Sequence, residues 1–211
     1  MYIVGGIKLP KSADVSDLYI QCNEAASINY QEDDKKVVLR QGGIISSNSY
    51  FNSFYENFYT KYTTLSYIYY LLKLEGDFKV TVYREVNGKN NKEIIFQENF
   101  EKCEFSEPVK IPPINLLQNE NAGRIYFEIT CSSEQGAFKE AWIATDENKT
   151  REVSLGIIIC TFKKEAYIKN TLATIFQDKL LETKDFKLFV VDNGRTLDKA
   201  DFTQPKLKLP I

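Results

Sequence analysis

The chain has 211 residues, 43% hydrophobic and 27% charged, which fits one large or two small globular domains and excludes a disordered chain. Its formal charge of −2, from 27 basic against 29 acidic residues, gives no electrostatic footing for nucleic acid. Histidine is absent, which removes the commonest general base and metal ligand. The cysteines Cys22, Cys103, Cys131 and Cys160 contain no CxxC pair. They read as scattered core residues of a reduced compartment, not as a zinc site. The N-terminus lacks the basic and long apolar regions of a signal peptide, and no run reaches the roughly 20 apolar residues of a membrane span. The expectation is a cytoplasmic protein, one that could lie peripherally at the inner face of the membrane.

In chain order, the first 150 residues read as β, in keeping with 13 tyrosines and 14 phenylalanines. Tyr2–Val4, Tyr19–Cys22 and Val37–Arg40 are short strands, the last followed by a Gly42-Gly43 turn. Glu32–Lys36 reads as a solvated loop. Leu65–Leu74 is a longer apolar strand, and Phe78–Tyr83 alternates between apolar and polar residues. An Asn87-Gly88 turn, extended by Lys89–Lys92, returns the chain through Glu93–Gln97 as a hairpin. Prolines 108, 112 and 113 confine Val109–Ile114 to an edge strand or connector. After the Asn121–Gly123 turn, Arg124–Thr130 points Ile125, Phe127 and Ile129 inward, and Phe138–Ala144 uses Trp142 as its core anchor. The spacing suggests a β-sandwich or jelly roll. Asp146–Arg151 is the expected linker.

Residues 153–194 differ in kind. Leu155–Cys160 is a continuous apolar run, expected to form a strand buried on both faces. Thr161–Lys164 is a polar turn. Tyr167, Ile168, Thr171, Leu172, Ile175, Phe176 and Leu180 recur at helical spacing. Phe186–Val191 is a second buried-type strand, ending in Asp192-Asn193-Gly194. This is a strand–helix–strand unit, and in parallel sheets ligands bind beyond the carboxyl ends of the strands. Lys163 and Lys164 fall at a helix N-terminus, where the dipole disfavours cations and an anion such as phosphate would resolve the conflict. Each candidate has a bland reading too. The lysines could be solvated, Phe162 could be core, and Asp192 with Asn193 could simply form a turn.

The stretch Tyr50–Tyr62 breaks the β rhythm, with aromatics at 50, 51, 54, 55, 58, 59 and 62. That spacing is helical. Its stripe either packs onto the sheet or, through Tyr50, Phe54 and Tyr55, presents faces that stack on sugar rings.

The pairing of IIICTFKK with FVVDNG resembles the start of the catalytic domain of family 2, GT-A type glycosyltransferases. SYFNSFYENFYTKYTTL, Gly123–Glu128 and Ala141-Trp142 resemble the N-terminal β domain of bacterial galactofuranosyltransferases. The resemblance implies a fold of β-sandwich at 1–150 followed by a truncated, Rossmann-like α/β unit at 151–211. It implies nucleotide contacts by Thr161, Phe162, Lys164, Asp192 and Asn193. Arginine often stands at the Lys164 position in the family; lysine keeps the charge without the bidentate fork. The implied partners are a UDP-sugar donor and a glycan or lipid-linked glycan acceptor, with room for a homo-oligomer. The implied reaction is inverting transfer, of galactofuranose in the closer resemblance, for polysaccharide or cell-wall biosynthesis. The family's Mg²⁺ or Mn²⁺ is held by a DxD motif that this sequence does not show; Asp198 and Asp201 lack the spacing. The metal is therefore expected only in a full-length enzyme, no catalytic residue is assigned, and the chain alone is expected to be inactive. The alternative reading is a non-catalytic carbohydrate-binding or assembly module.

Overall fold

The structure is a computed structural model that describes residues 1–86, 92–148, 154–178, 186–198 and 207–208. The Asn87-Gly88 turn with Lys89–Asn91, linker residues 149–151, Leu180 and Asp201 lie outside the described residues. The chain divides into two compact units, Met1–Asn148 and Lys149–Ile211.

The strands of the first unit are β1 (Tyr2–Ile7), β2 (Gln21–Cys22), β3 (Ala26–Asn29), β4 (Lys36–Arg40), β5 (Ile44–Ser46) and β6 (Phe54–Tyr55). Helix α1 (Glu56–Tyr62) follows, then β7 (Tyr67–Glu85), β8 (Lys92–Cys103), β9 (Val109–Lys110), β10 (Ile114–Asn115), β11 (Arg124–Cys131) and β12 (Gln135–Thr145). All their pairings are antiparallel.

The two strands expected at Leu65–Leu74 and Phe78–Tyr83 are one strand, β7, and the fold is built on it. Its first half pairs with β12, β9 and β10. Its second half pairs with β11 and β8. Between them Gly76 takes φ +108, where a Cβ would sit 2.9 Å from the Ser133 hydroxyl and 3.0 Å from the Gln135 carbonyl. Only glycine fits both the angle and the space. The bend closes the sheet over one core. Ile68, Tyr70, Leu72 and Leu74 from one half meet Phe78, Val80 and Val82 from the other. Phe127 bridges them, 5.3 Å from the Tyr70 ring and 6.0 Å from the Phe138 ring. The result is a mainly β sandwich, close to a barrel. Ile125, Phe127 and Ile129 point inward as their alternation requires. The Tyr70 hydroxyl, wholly buried, donates to the Ile125 carbonyl at 3.2 Å, and burial pushes its pKa far up.

Trp142 is not a core anchor. A bulge between Phe138 and Glu140 shifts the phase of β12, so Ala141 and Ile143 face inward. Trp142 turns to the outer face, half-exposed, beneath the Lys73 ammonium at 5.2 Å. Of the cysteines only Cys131 is buried; all four are free thiols. At the expected linker, Asp146 accepts from the Tyr69 hydroxyl at 2.8 Å, and Glu147 accepts from Ser66, so these residues are held to the first unit.

In the second unit β13 (Leu155–Thr161) and β14 (Phe186–Asp192) run parallel, with helix α2 (Glu165–Gln177) between them in sequence. Strand β15 (Leu207–Lys208) continues the parallel pairing beside β14. Ile168 and Leu172 of α2 pack on Phe186, Leu188 and Val190. Since α2 covers one face only, β13 is not buried on both. Gly156, Ile158 and Cys160 on its other face are exposed among the described residues. Among the described residues no helix is long and apolar enough to cross a membrane.

Candidate functional site

The parallel register sets Thr161 directly opposite Asp192, at the carboxyl ends of β13 and β14. The Asn193 N–H donates to the Thr161 carbonyl at 2.9 Å, tying the two tips together. Thr161 is buried, and its hydroxyl has no hydrogen-bond partner among the described residues. Phe162 beside it is exposed, so core packing does not account for it; the Lys163 ammonium lies 5.3 Å from its ring. Lys163 adopts a left-handed φ of 51, which turns the chain sharply into α2. Lys164 is the N-cap of α2, contributing its carbonyl to the Ile168 N–H, while its ammonium lies 5.5 Å from the exposed Tyr167 ring.

Asp192 is committed to its own turn. Oδ1 accepts from the Gly194 N–H at 2.9 Å, and Oδ2 from the Thr196 and Leu197 N–H groups at 2.6 and 2.8 Å. The Leu197 N–H, aided by the other amides against a burial effect of opposite sign, holds the carboxyl below the usual carboxylate range. The turn-forming reading of Asp192 is thus realised, and what it leaves for a ligand is the remaining lone pair of Oδ1. Asn193 is exposed, with its backbone used and its side chain free to reach outward.

Two residues here are not singled out by the sequence. Glu165 occupies the first turn of α2, and the Thr196 hydroxyl, foremost, holds its carboxyl below the usual range. A carboxylate in that turn already complements the helix dipole, so the lysines do not by themselves demand an anion there. The available signal was an acidic residue just after the predicted helix start.

The aromatic segment of the first unit forms a second candidate. Its expected helix begins only at Glu56, and the residues before it form a turn and β6. Phe54 is buried and stacked on Tyr59 at 4.3 Å, so it offers no face to a sugar. Tyr50 and Tyr55 are exposed, and so are Phe51 and Phe58, which the sequence did not select. They rim a groove of about 590 Å³ whose other wall is Gly5, Gly6 and Ile7 of β1.

The segment is pinned by a carboxylate that the sequence gives no reason to suspect. Glu56, fully buried, accepts from Arg84 Nε and Nη2 at 3.1 and 3.0 Å. It also accepts from the N–H groups of Leu117 and Gly123 at 2.6 and 2.9 Å. Upstream, Asn52 bridges to Lys8 and to the Tyr19 carbonyl.

Residues 7–145 match the family described as galactofuranosyltransferase 2 N-terminal. No curated protein matches the chain. Among solved structures, the CBM22-1–GH10 modules of Clostridium thermocellum xylanase 10B, complexed with xylohexaose, share 16% identity at a TM-score of 0.35. That match covers 82% of this chain and 34% of the xylanase chain, so the present chain spans about a third of that protein's length. TmCBM61, in complex with β-1,4-galactotriose, shares 11% identity at a TM-score of 0.35, over 60% of this chain and 87% of that one. The family 11 carbohydrate-binding module of Clostridium thermocellum shares 12% at 0.36, over 70% of this chain and all of that one. These likenesses are too distant to transfer a ligand or an activity. The family match spans well over half of the chain, and the protein belongs to the galactofuranosyltransferase 2 N-terminal family.

Proposed function

We propose that the tips of β13 and β14, with the turns that follow them, form the donor-nucleotide half-site of a GT-A type, family 2 glycosyltransferase. On this reading the protein moves a sugar, galactofuranose in the family's name, from a UDP carrier to a glycan or lipid-linked glycan acceptor. The observation that carries it is the Thr161–Asp192 pair, set side by side at the carboxyl ends of adjacent parallel strands. Such crevices are where open α/β sheets bind nucleotides.

The groups present suit the parts of UDP. The exposed Phe162 ring can stack on the uracil. The unpartnered Thr161 hydroxyl and the free lone pair of Asp192 can meet ribose hydroxyls or the base imide N–H. Lys163 and Lys164 supply two cations beside these groups for the diphosphate. In inverting transfer an acceptor hydroxyl attacks the anomeric carbon, the bond to the diphosphate oxygen breaks, and the hydroxyl proton passes to a base. A divalent cation does not fit the residues at these tips. Three backbone N–H groups leave Asp192 a single lone pair on Oδ1, and no cluster of three or more metal-ligating side chains occurs among the described residues. The role of these residues is therefore to bind and orient the donor.

UDP titration followed by calorimetry tests the reading. UDP should bind, and Phe162→Ala should weaken it by roughly five- to a hundredfold, as loss of a base–aromatic stack does. Lys164→Ala should weaken UDP more than uridine. No saturation by about 10 mM UDP, beyond the roughly 1 mM that corresponds to about 4 kcal/mol of binding, would overturn it.

A further inference from the structure

We propose that the groove between β1 and the Tyr50–Tyr59 segment is a binding subsite for a neutral saccharide chain. The inference takes its choice of sugar from the proposed transfer, but it stands on the β unit alone.

The rings at the rim are the first argument. Tyr50, Phe51, Tyr55 and Phe58 are 70, 53, 39 and 60% exposed. Phe54 and Tyr59, from the same segment, turn inward and stack on each other. A stripe serving only the core would not leave four large rings outside it. The second argument is that the rings are held in place. Phe51 stacks on Tyr19 at 4.7 Å and meets Tyr50 edge-on at 89°. Phe58 meets Tyr59 edge-on at 5.7 Å. Beneath them Glu56 anchors the segment through four hydrogen bonds. Rim faces fixed before binding avoid the entropy of ordering them afterwards.

The third argument concerns size and floor. Gly5 and Gly6 put no side chain into the groove, and its volume of about 590 Å³ lies within the range of small-ligand sites, roughly 300–1,000 Å³. The last is charge. Among the described residues no charged one lines the groove, which selects against phosphates and charged peptides. The polar groups on offer are neutral. Asn57 uses its Nδ2 on the Ala122 carbonyl, leaving Oδ1 without a partner among the described residues. The Tyr50 hydroxyl is likewise unpartnered there. Among the described residues β1 pairs only with β12, so backbone groups on its outer edge also lack a strand partner. Aromatic faces with scattered neutral donors and acceptors match the apolar C–H faces and hydroxyl rims of sugars. An aliphatic chain would leave these polar groups unpaired.

The experiment uses the full chain and a synthetic galactofuranosyl tetrasaccharide, with calorimetry as the readout. The tetrasaccharide should bind, and Tyr50→Ala and Phe58→Ala should each raise its Kd about tenfold, the size expected for one lost stacking face. Phe58→Tyr, which keeps the face, should bind as the parent does. Both truncated side chains are exposed, and circular dichroism should show the variants folded. Two further arms cover other occupants: phosphatidylcholine vesicles, and self-association by sedimentation. The proposal fails if the parent does not bind the tetrasaccharide, or if both alanine variants bind it unchanged. It also fails if the substitutions instead remove vesicle binding or self-association. UDP titration of the same variants separates the two readings. These variants should lose tetrasaccharide affinity and keep that for UDP; a parent chain that binds the tetrasaccharide but not UDP refutes only the donor site, and one that binds UDP but not the tetrasaccharide refutes only this groove.

Discussion

Glu56→Ala tests how the aromatic segment is held. The substitution removes the acceptor for both Arg84 contacts and for the Leu117 and Gly123 N–H groups. The Arg84 side chain is itself only 9% exposed, and of its contacts it would keep the one to the Asn115 carbonyl at 2.8 Å. Breaking a buried pair from one side costs about 3–5 kcal/mol because the remaining charge stays buried. The two orphaned N–H groups add to that, each costing about 1–3 kcal/mol unless water enters the space left behind. With partial hydration the net loss should be about 5 kcal/mol, a large share of the roughly 5–15 kcal/mol that holds a domain together. Urea unfolding followed by tyrosine and tryptophan fluorescence would show it. At a slope of about 2 kcal/mol per molar, the midpoint should fall by roughly 2.5 M with the slope unchanged. Replacing both partners, as Glu56→Met with Arg84→Met, removes the stranded charge. The pair should then cost about 2–3 kcal/mol less than the sum of the single variants. A Glu56→Ala loss under about 1 kcal/mol, or strictly additive single variants, would refute the view that this ion pair clamps the segment.

Gly123→Ala should be nearly as damaging for a steric reason. A Cβ there would lie 2.2 Å from the carbonyl oxygen of Glu85, whose backbone is fixed by its pairing with Arg124 of β11. Overpacking of this kind costs about 3 kcal/mol, and a fall in Tm of roughly 6–12 °C should follow; a fall under about 2 °C would count against it. In the second unit, the turn built on Asp192 should be acid-labile. Its carboxyl titrates below the unfolded value near 3.9, so its contribution is complete above that value and is lost as pH falls through the folded pKa. The amide shifts of Gly194, Thr196 and Leu197 should report one transition with a midpoint below about 3.9, absent in Asp192→Asn; a midpoint at or above that value would refute it.

Particular residues show why parts of this fold were legible and others were not. The strands expected at Leu155–Cys160 and Phe186–Val191 were legible because each is an apolar run, interrupted only by Lys187 in the second, that is closed by polar residues. Ile125, Phe127 and Ile129 were legible because β11 pairs with β7 without a bulge and keeps its period of two. Trp142 was misplaced because one bulge reverses which face every later residue of β12 occupies, and no local pattern announces it. Gly76-Asp77 reads as a break, yet β7 runs through it because the glycine bends the strand instead of ending it. Phe54 is buried where a helical period across Tyr50–Tyr62 would expose it, because the helix starts only at Glu56. Glu56 was invisible because its partners lie far along the chain, at Arg84, Leu117 and Gly123. Only the folded sheet brings them together.

The two proposed sites differ in chemistry as their two proposed ligands do. The strand tips gather two lysines, two carboxylates and an unpartnered hydroxyl around an exposed ring, a set suited to a charged nucleotide with a flat base. The groove gathers rings, glycines and amides without a charge, a set suited to a neutral polyol with apolar faces. Exchanging the ligands would cost each site its main interaction. A diphosphate in the groove would be desolvated with no cation to meet it, and a neutral glycan at the tips would leave the lysines without an anion. The two proposed binding events are therefore expected to respond to different substitutions and to different salt concentrations, with UDP binding at the tips weakening as ionic strength rises and glycan binding in the groove indifferent to it.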